Sequence, residues 1–146
     1  MTSLQLELQT QKCSSMTWLL VGDIREMLHD HLDRDAIRWL RPVLDALIDS
    51  MAEMELLEHS PGYFEDVLAP CPELASQVEL IRHEQARLCE SLRELHARLG
   101  RREKVTRLVT ELQRDLAEWV QMMMDNARRE RELLQTVWYT EIGGEG

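Results

Sequence analysis

Apolar residues recur every three or four positions along most of the chain, the spacing that places side chains on one face of an α-helix. This spacing predicts four helices, which run from about 14 or 15 to 32, from about 33–35 to 60, from about 72 to 99, and from about 103 to 137 or 139. Residues 1–13 are interpreted as an N-terminal lead-in and 14–146 as a single bundle. Pro42 lies within the second helix, so we expect that helix to begin near Pro42 or to bend there.

The apolar stripes identify the faces that we expect to be buried. Each stripe consists of steps of three or four residues. The first contains Met16, Leu20, Ile24, Met27 and His31; the second Leu40, Leu44, Leu47, Met51, Met54 and Glu58; the third Leu74, Val78, Ile81, Gln85, Leu88, Leu92 and Leu95; the fourth Val105, Leu108, Leu112, Leu116, Trp119, Met123, Asn126, Glu130, Leu133 and Val137.

Four amphipathic helices joined by mostly short connections predict an all-α protein, an antiparallel up-down-up-down four-helix bundle with the stripes facing inward. The sparse punctuation agrees, since 146 residues include only six Gly and four Pro. Breaks are expected at Ser60-Pro61-Gly62 and at Gly100-Arg101-Arg102, with a short helical turn between Tyr63 and Leu68.

Charge and cysteine content narrow the class of protein. The net charge of −10, from 27 acidic and 17 basic side chains, argues against nucleic acid or an anionic membrane as the main partner. Cys13, Cys71 and Cys89 show no C-x-x-C spacing, which favours free thiols in a reducing compartment. No signal pattern and no membrane-length apolar run is visible, so we expect a cytoplasmic protein.

Polar residues interrupt three of the four stripes, at Glu58, Gln85, Asn126 and Glu130. Buried amides and carboxylates cost free energy unless they find partners. One interpretation is that these residues lie at stripe edges and extend to solvent. The other is a shared internal site, because residues four apart, such as Asn126 and Glu130, lie on one face of a helix. Counted from the turn between the third and fourth helices, Gln85 and Asn126 differ by several residues in depth.

The five histidines are poorly placed for such a site. His83 lies on the outer face of the third helix and His96 near the rim of the bundle. His29 and His31 end the first helix, at the opposite end of the bundle from Glu58. His59 alone is near the level of the inward polar residues.

Two segments resemble the hemerythrin-like (HHE-type) family. MELLEHSPGYFEDVL at 54–68, followed by Pro-Glu-Leu, is similar to the end of that family's second helix, where a metal histidine precedes a Glu-rich run and Gly-Tyr. RRERELLQ at 128–135 and TEIGGEG at 140–146 are similar to its terminal pattern, a His-x-x-x-Glu pair followed by Leu-Leu-Gln and Asp-Ile-Gly. The resemblance implies a four-helix bundle that binds a non-haem di-iron centre.

Carried over to this chain, the resemblance assigns the metal carboxylates to Glu58 and Glu130. The histidine positions are occupied by Met54, Gln85 and Asn126, and the first helix offers only Cys13, Ser14 or Thr17 at that level. Thioether and amide groups are weak ligands for iron. The resemblance therefore implies a degenerate di-iron site with no bound cofactor, leaving a candidate pocket of Met54, Glu58, His59, Gln85, Asn126 and Glu130.

Three functions are compatible with these residues. The first is a non-catalytic binding or scaffold module with a protein partner of unknown identity. The second retains non-haem di-iron through Glu58, Glu130 and His59, as an oxygen or redox sensor or an iron-handling protein. The third is a helical partner-binding domain unrelated to hemerythrin. None is an enzyme, because the sequence shows no nucleophile with a base and no phosphate-binding loop.

Overall fold

Four long α-helices form the fold of the described residues. In the computed structural model these are α1 (Ser3–His29), α2 (Arg34–Glu58), α3 (Ala75–Gly100) and α4 (Thr106–Gly143). A 3-10 helix, Pro72–Leu74, leads into α3. The structure describes residues 2–30, 32–58, 71–100 and 106–143, so the expected breaks at 60–62 and 101–102 and the turn at 63–68 lie outside the described residues.

The first helix begins earlier than predicted. It starts at Ser3, not at 14 or 15, so most of the expected lead-in is helical. Thr2 and Gln5 form a capping box, in which the Thr2 hydroxyl accepts from the Gln5 backbone N–H at 3.1 Å and the Gln5 side chain accepts from the Thr2 N–H at 3.0 Å. These two bonds satisfy free N–H groups in the first turn.

The buried face of α1 also differs from the predicted stripe. Met16 is exposed, and the buried positions are Leu6, Thr10, Cys13, Thr17, Val21 and Ile24. These residues keep the three-and-four spacing, but half of them are polar or sulfur-bearing. The prediction selected Met16 because it relied on hydrophobicity, whereas threonines and a cysteine share the buried face.

The second and third helices follow the prediction closely. The Asp33 carboxylate accepts from the Ala36 backbone N–H at 2.8 Å and caps α2. Pro42 lies inside α2, which begins eight residues before it, so the helix does not start at the proline. The third helix was predicted from about 72 to 99. The 3-10 helix begins at Pro72, α3 itself begins three residues later at Ala75, and Gly100 ends α3.

Hydrogen bonds show that α1 and α2 run in opposite directions. Gln9 Nε2 donates to Glu53 Oε1 at 3.4 Å, and the Cys13 thiol donates to the Ser50 carbonyl at 3.1 Å. Residue numbers therefore fall along α2 as they rise along α1. The same relation holds for α3 and α4, where Ile81 pairs with Asn126 and, farther along α3, Arg98 pairs with Asp115.

The helices pack in a ring in which α1 contacts α2 and α4, and α3 contacts α2 and α4. This arrangement fits the predicted up-down-up-down four-helix bundle. The end of the bundle that holds the α1–α2 connection has an apolar core of leucine and other aliphatic side chains. Its most deeply buried members are Val21, Ile24, Leu32, Leu40, Leu44, Leu47, Leu92 and Leu116.

An amide closes this apolar end. The Gln113 amide nitrogen donates to the carbonyls of Leu28 and Asp30, both at 3.1 Å, and its oxygen accepts from the Leu32 N–H at 3.3 Å. One α4 side chain thus satisfies the backbone where α1 ends and holds the connection to α2. We name the half that contains this closure the apolar half. Among the described residues, no helix is both long and apolar enough to cross a membrane.

Candidate functional site

The opposite end of the bundle contains a cleft of about 950 Å³. It lies between the beginning of α1, the end of α2, the beginning of α3 and the second half of α4, which meet here because neighbouring helices are antiparallel. Met54, Glu58, Gln85, Asn126 and Glu130 all line it. The predicted pocket residues are therefore brought together, except His59, which lies outside the described residues. We name this half the cleft half.

Asn126 is the most deeply buried of the polar residues that line the cleft. It is 1% exposed, in agreement with its place on the predicted inner stripe. Its side-chain nitrogen donates to the Ile81 carbonyl at 3.2 Å and to a Glu84 carboxylate oxygen at 3.2 Å. Both partners lie on α3, so the Asn126 amide links α4 to α3. An apolar side chain at this position would leave the Ile81 carbonyl and the Glu84 carboxylate without this donor.

Gln85 connects the two polar residues of α4. Its side-chain nitrogen donates to Asn126 Oδ1 at 3.1 Å and to Glu130 Oε2 at 2.9 Å. We expected Gln85 and Asn126 to lie at different depths in the bundle, and this expectation is wrong. Their side chains are long enough to reach each other across the small difference in level between α3 and α4. Asn126 and Glu130, four residues apart, present their oxygens to one donor group.

An ion pair borders this network on the outside. Arg129 Nη1 donates to Glu84 Oε1 at 3.1 Å, and its second terminal nitrogen contacts Glu84 Oε2, the oxygen that also accepts from Asn126. A bidentate guanidinium fixes a carboxylate in both position and orientation. Glu84 is thereby held where it can accept from the buried amide of Asn126.

Two carboxyl groups in the cleft are poorly neutralised. Glu58 is 7% exposed, and burial raises its pKa to about 7, with repulsion from Glu130 adding to the rise and Arg82 opposing it. Burial also raises the pKa of Glu130, although the hydrogen bond from Gln85 favours its ionised form. Within the described residues no hydrogen bond reaches the Glu58 carboxyl group. Desolvation dominates both shifts because carboxylates lose water without gaining enough compensating partners.

Residues of α1 form the wall that sequence reasoning identified only in part. Ser14 and Thr17 line the cleft, as expected for their level, and so do Thr10 and Trp18, which the prediction missed. The Thr10 hydroxyl is buried and has no hydrogen-bond partner among the described residues. The signal was present in the four-and-three spacing of positions 6, 10, 13 and 17, but threonine does not count as apolar.

A second polar cluster on α1 and α2 is fully paired. The hydroxyls of Thr17 and Ser50 lie 2.6 Å apart, and Thr17 also donates to the Cys13 carbonyl at 2.9 Å. The Cys13 thiol donates to the Ser50 carbonyl, and burial raises its pKa. Cys13 is therefore a structural residue of the helix interface.

The three histidines that the structure describes take no part in the hydrogen-bond network. His83 is exposed, as expected, and lies at the rim of the cleft, whereas His29 is exposed at the last residue of α1. His96 is half-buried with its Nε2 atom 2.6 Å from Asp45 Oδ1, on the apolar half. His31 and His59 lie outside the described residues.

The described side chains do not fit a di-iron centre. No group of three or more His, Cys, Asp or Glu side chains within the described ranges is arranged to hold a metal ion. The Asn126 oxygen and one Glu130 oxygen already accept from Gln85, and Met54 packs with Leu6, Cys13 and Leu57. Amide and thioether groups are in any case weak ligands for iron.

Comparison of the chain with models of protein families, with curated proteins and with solved structures finds no match.

Proposed function

We propose that this protein is a hemerythrin-like bundle whose di-iron site has degenerated, and that it acts as a non-catalytic binding or scaffold module. The observation that carries the proposal is the Gln85 amide, which bridges Asn126 and Glu130 at 3.1 and 2.9 Å. A cation that used these oxygens would first have to displace the amide nitrogen. On this proposal the hydrogen-bond network takes the place of a metal, and it joins α3 to α4.

The state of the cysteines supports a binding role over covalent catalysis. Cys13, Cys71 and Cys89 are all free and buried. Burial raises the pKa of Cys13 and of Cys89, which keeps these thiols protonated and poorly nucleophilic. Free thiols also suit a reducing compartment, and we propose a cytoplasmic location.

Metal analysis tests the proposal most directly. Protein purified from iron-supplemented cells should contain iron far below stoichiometry and show no visible absorption from an oxo-bridged di-iron centre. Stoichiometric iron with that absorption would contradict the proposal and favour the alternative of an iron-binding sensor. In that case Glu58→Gln and Glu130→Gln should each lower the iron content, whereas Glu118→Gln, on the exposed face of α4, should not.

A matched gain of function sharpens the test. If the missing imidazoles caused the loss of metal, then Met54→His combined with Asn126→His should raise affinity for Co²⁺ or Zn²⁺, since imidazole is a common ligand for both. Placing two histidines on the exposed positions Leu56 and Arg128 provides a control with equal histidine content. Equal metal uptake by both double variants would count against a vestigial metal site.

A further inference from the structure

We propose that the cleft binds an organic cation, a protonated amine carried on an apolar body. This inference rests on the proposed function, in which the cleft is a binding site free of metal. Five features of the cleft carry it: its charge, its unpaired buried polar groups, its apolar wall, its size, and its construction from all four helices.

The charge of the cleft selects a cation. Five glutamates and two arginines line it. Glu58 is nine-tenths buried, and within the described residues it receives no hydrogen bond; Glu130 is bonded through one oxygen by Gln85. Two carboxylates that repel each other in a partly desolvated site are stabilised by a positive group between them. An anionic ligand would meet repulsion in the same place.

Thr10 provides an observation independent of the acidic residues. Its side chain is 9% exposed and lines the cleft, yet its hydroxyl oxygen has no hydrogen-bond partner among the described residues. Unpaired buried hydroxyls are rare in folded proteins because each loses its bonds to water. An ammonium N–H group bound in the cleft would offer its α1 side a donor that the described residues do not supply.

The remaining wall is suited to the apolar body of such a ligand. Trp18 is partly exposed on α1, and Met51, Met54 and Met123 face the same space. An indole face attracts cations through its quadrupole, and methionine side chains adapt to ligands of different shape. A volume of about 950 Å³ lies at the upper end of the usual range for small-molecule sites.

A charge series on one apolar body tests the inference. Metal-free, full-length protein is titrated by calorimetry at pH 8 with 4-phenylbutylamine, 4-phenylbutanol and 4-phenylbutyrate, which differ in charge and share the phenylalkyl body. The amine should bind about tenfold or more tightly than the alcohol, the equivalent of about 1.4 kcal/mol. The carboxylate should not bind measurably. Equal binding of amine and alcohol would overturn the inference.

Glu58→Gln is the matched variant, because it keeps the shape of the side chain and removes its charge. It should weaken the amine about tenfold and leave the alcohol unchanged, since only the charge interaction is lost. Glu118→Gln, with equal change in net charge on the exposed face of α4, should leave both affinities unchanged. If Glu118→Gln weakened the amine as much as Glu58→Gln, the attraction would come from overall charge and the cleft would not be the site.

The outcome is separable from that of the metal test. Stoichiometric iron in the purified protein would contradict the proposed function whatever the amine does. Iron-free protein that shows no heat with the amine up to about 10 mM, a limit that corresponds to less than roughly 3 kcal/mol of binding free energy, would contradict only the present inference.

Discussion

The buried side chains of the apolar half are mainly leucine and other aliphatic residues, whereas the cleft half buries an amide and a carboxyl group beside its apolar side chains. Leu40, Leu44 and Leu116 are fully buried in the first, and Asn126 is almost as buried in the second. Both halves are made from the same four helices and the same three-and-four spacing. Helical periodicity therefore specifies which positions face inward, and the chemistry of those positions decides whether the space fills with side chains or opens as a cleft.

The two halves also contribute differently to the stability of the fold. Close packing in the apolar half gains hydrophobic free energy with every buried side chain. In the cleft half, Glu58 loses water and gains no hydrogen bond from the described residues. A group that costs stability in its native position is expected at binding sites more than elsewhere. The comparison predicts large losses from truncation in the apolar half and gains from neutralisation in the cleft half.

The largest effect is expected in the apolar half. Leu44→Ala should lower the free energy of unfolding by about 2–5 kcal/mol, because the side chain is 0% exposed and its loss leaves a cavity. Leu80→Ala, at a position 60% exposed on α3, is the control and should change stability by less than roughly 0.5 kcal/mol. Urea unfolding measures both. A loss below about 1 kcal/mol for Leu44→Ala would show that this half is loosely packed.

Neutralising Glu58 should have the opposite sign. Its pKa is raised to about 7 from an ordinary value of 4.5, so between these values the folded state holds a proton that the unfolded state releases. Stability therefore falls as the pH rises from 4.5 to about 7, by up to roughly 3 kcal/mol. Glu58→Gln removes this loss and should be more stable than the unmodified protein at pH 8.

Unfolding at pH 5 and pH 8 measures this effect. Glu58→Gln should gain about 1–3 kcal/mol at pH 8 and much less at pH 5, where Glu58 is already protonated. Glu130 retains a raised pKa, so some decline with pH should persist in the variant. Glu118→Gln is the matched control. A variant less stable than the unmodified protein at pH 8 would show that the Glu58 carboxylate is paired in solution.

Asn126→Leu distinguishes a paired amide from an unpaired one. The stripe alone predicts stabilisation by about a kcal/mol, since leucine suits a buried position better than an amide without partners. The structure reverses this expectation because Asn126 bonds to Ile81, Glu84 and Gln85. The variant should lose about 1–2 kcal/mol.

The control for Asn126→Leu is Gln121→Leu on the same helix. Gln121 also bonds through its amide, to Asp125 at 3.1 Å, but on the exposed surface, where water replaces the lost bond. Thermal melting should show almost no change for this variant. A rise in melting temperature for Asn126→Leu would support the prediction from the apolar stripe that leucine stabilises this position. It would contradict a stabilising role for the hydrogen bonds of Asn126.

Much of the fold could be predicted because periodicity and capping are local. Asp33 caps α2, and the described apolar positions of the predicted stripes of α2, α3 and α4 are buried or partly buried. The start of α1 could not be located from hydrophobicity, because its buried face carries Thr10, Cys13 and Thr17. Cys13 and Thr17 are recognised as core positions only when their hydrogen bonds to Ser50 on α2 are known.

The sequence predicted which residues line the candidate site, but not which hydrogen bonds they form. Spacing placed Glu58, Gln85, Asn126 and Glu130 on inner faces, and all four line one cleft. Which of them form hydrogen bonds depends on how far each helix is shifted along its axis relative to its neighbour. The residue pattern of a single helix does not determine that shift. Gln85 proved close enough to bridge Asn126 and Glu130, whereas Glu58 receives no such bond within the described residues.

The smallest effects come from two threonines of α1 that differ in pairing. Thr17 donates to the Cys13 carbonyl and lies 2.6 Å from the Ser50 hydroxyl, whereas the Thr10 hydroxyl has no partner among the described residues. Valine has nearly the shape of threonine without the hydroxyl. Thr17→Val should therefore lose about 1 kcal/mol and Thr10→Val should gain a similar amount. Chemical unfolding of both variants under one condition supplies the comparison, with each serving as the control for the other. Equal losses would mean that Thr10 finds a bond in solution, and its hydroxyl would then no longer point to an absent ligand.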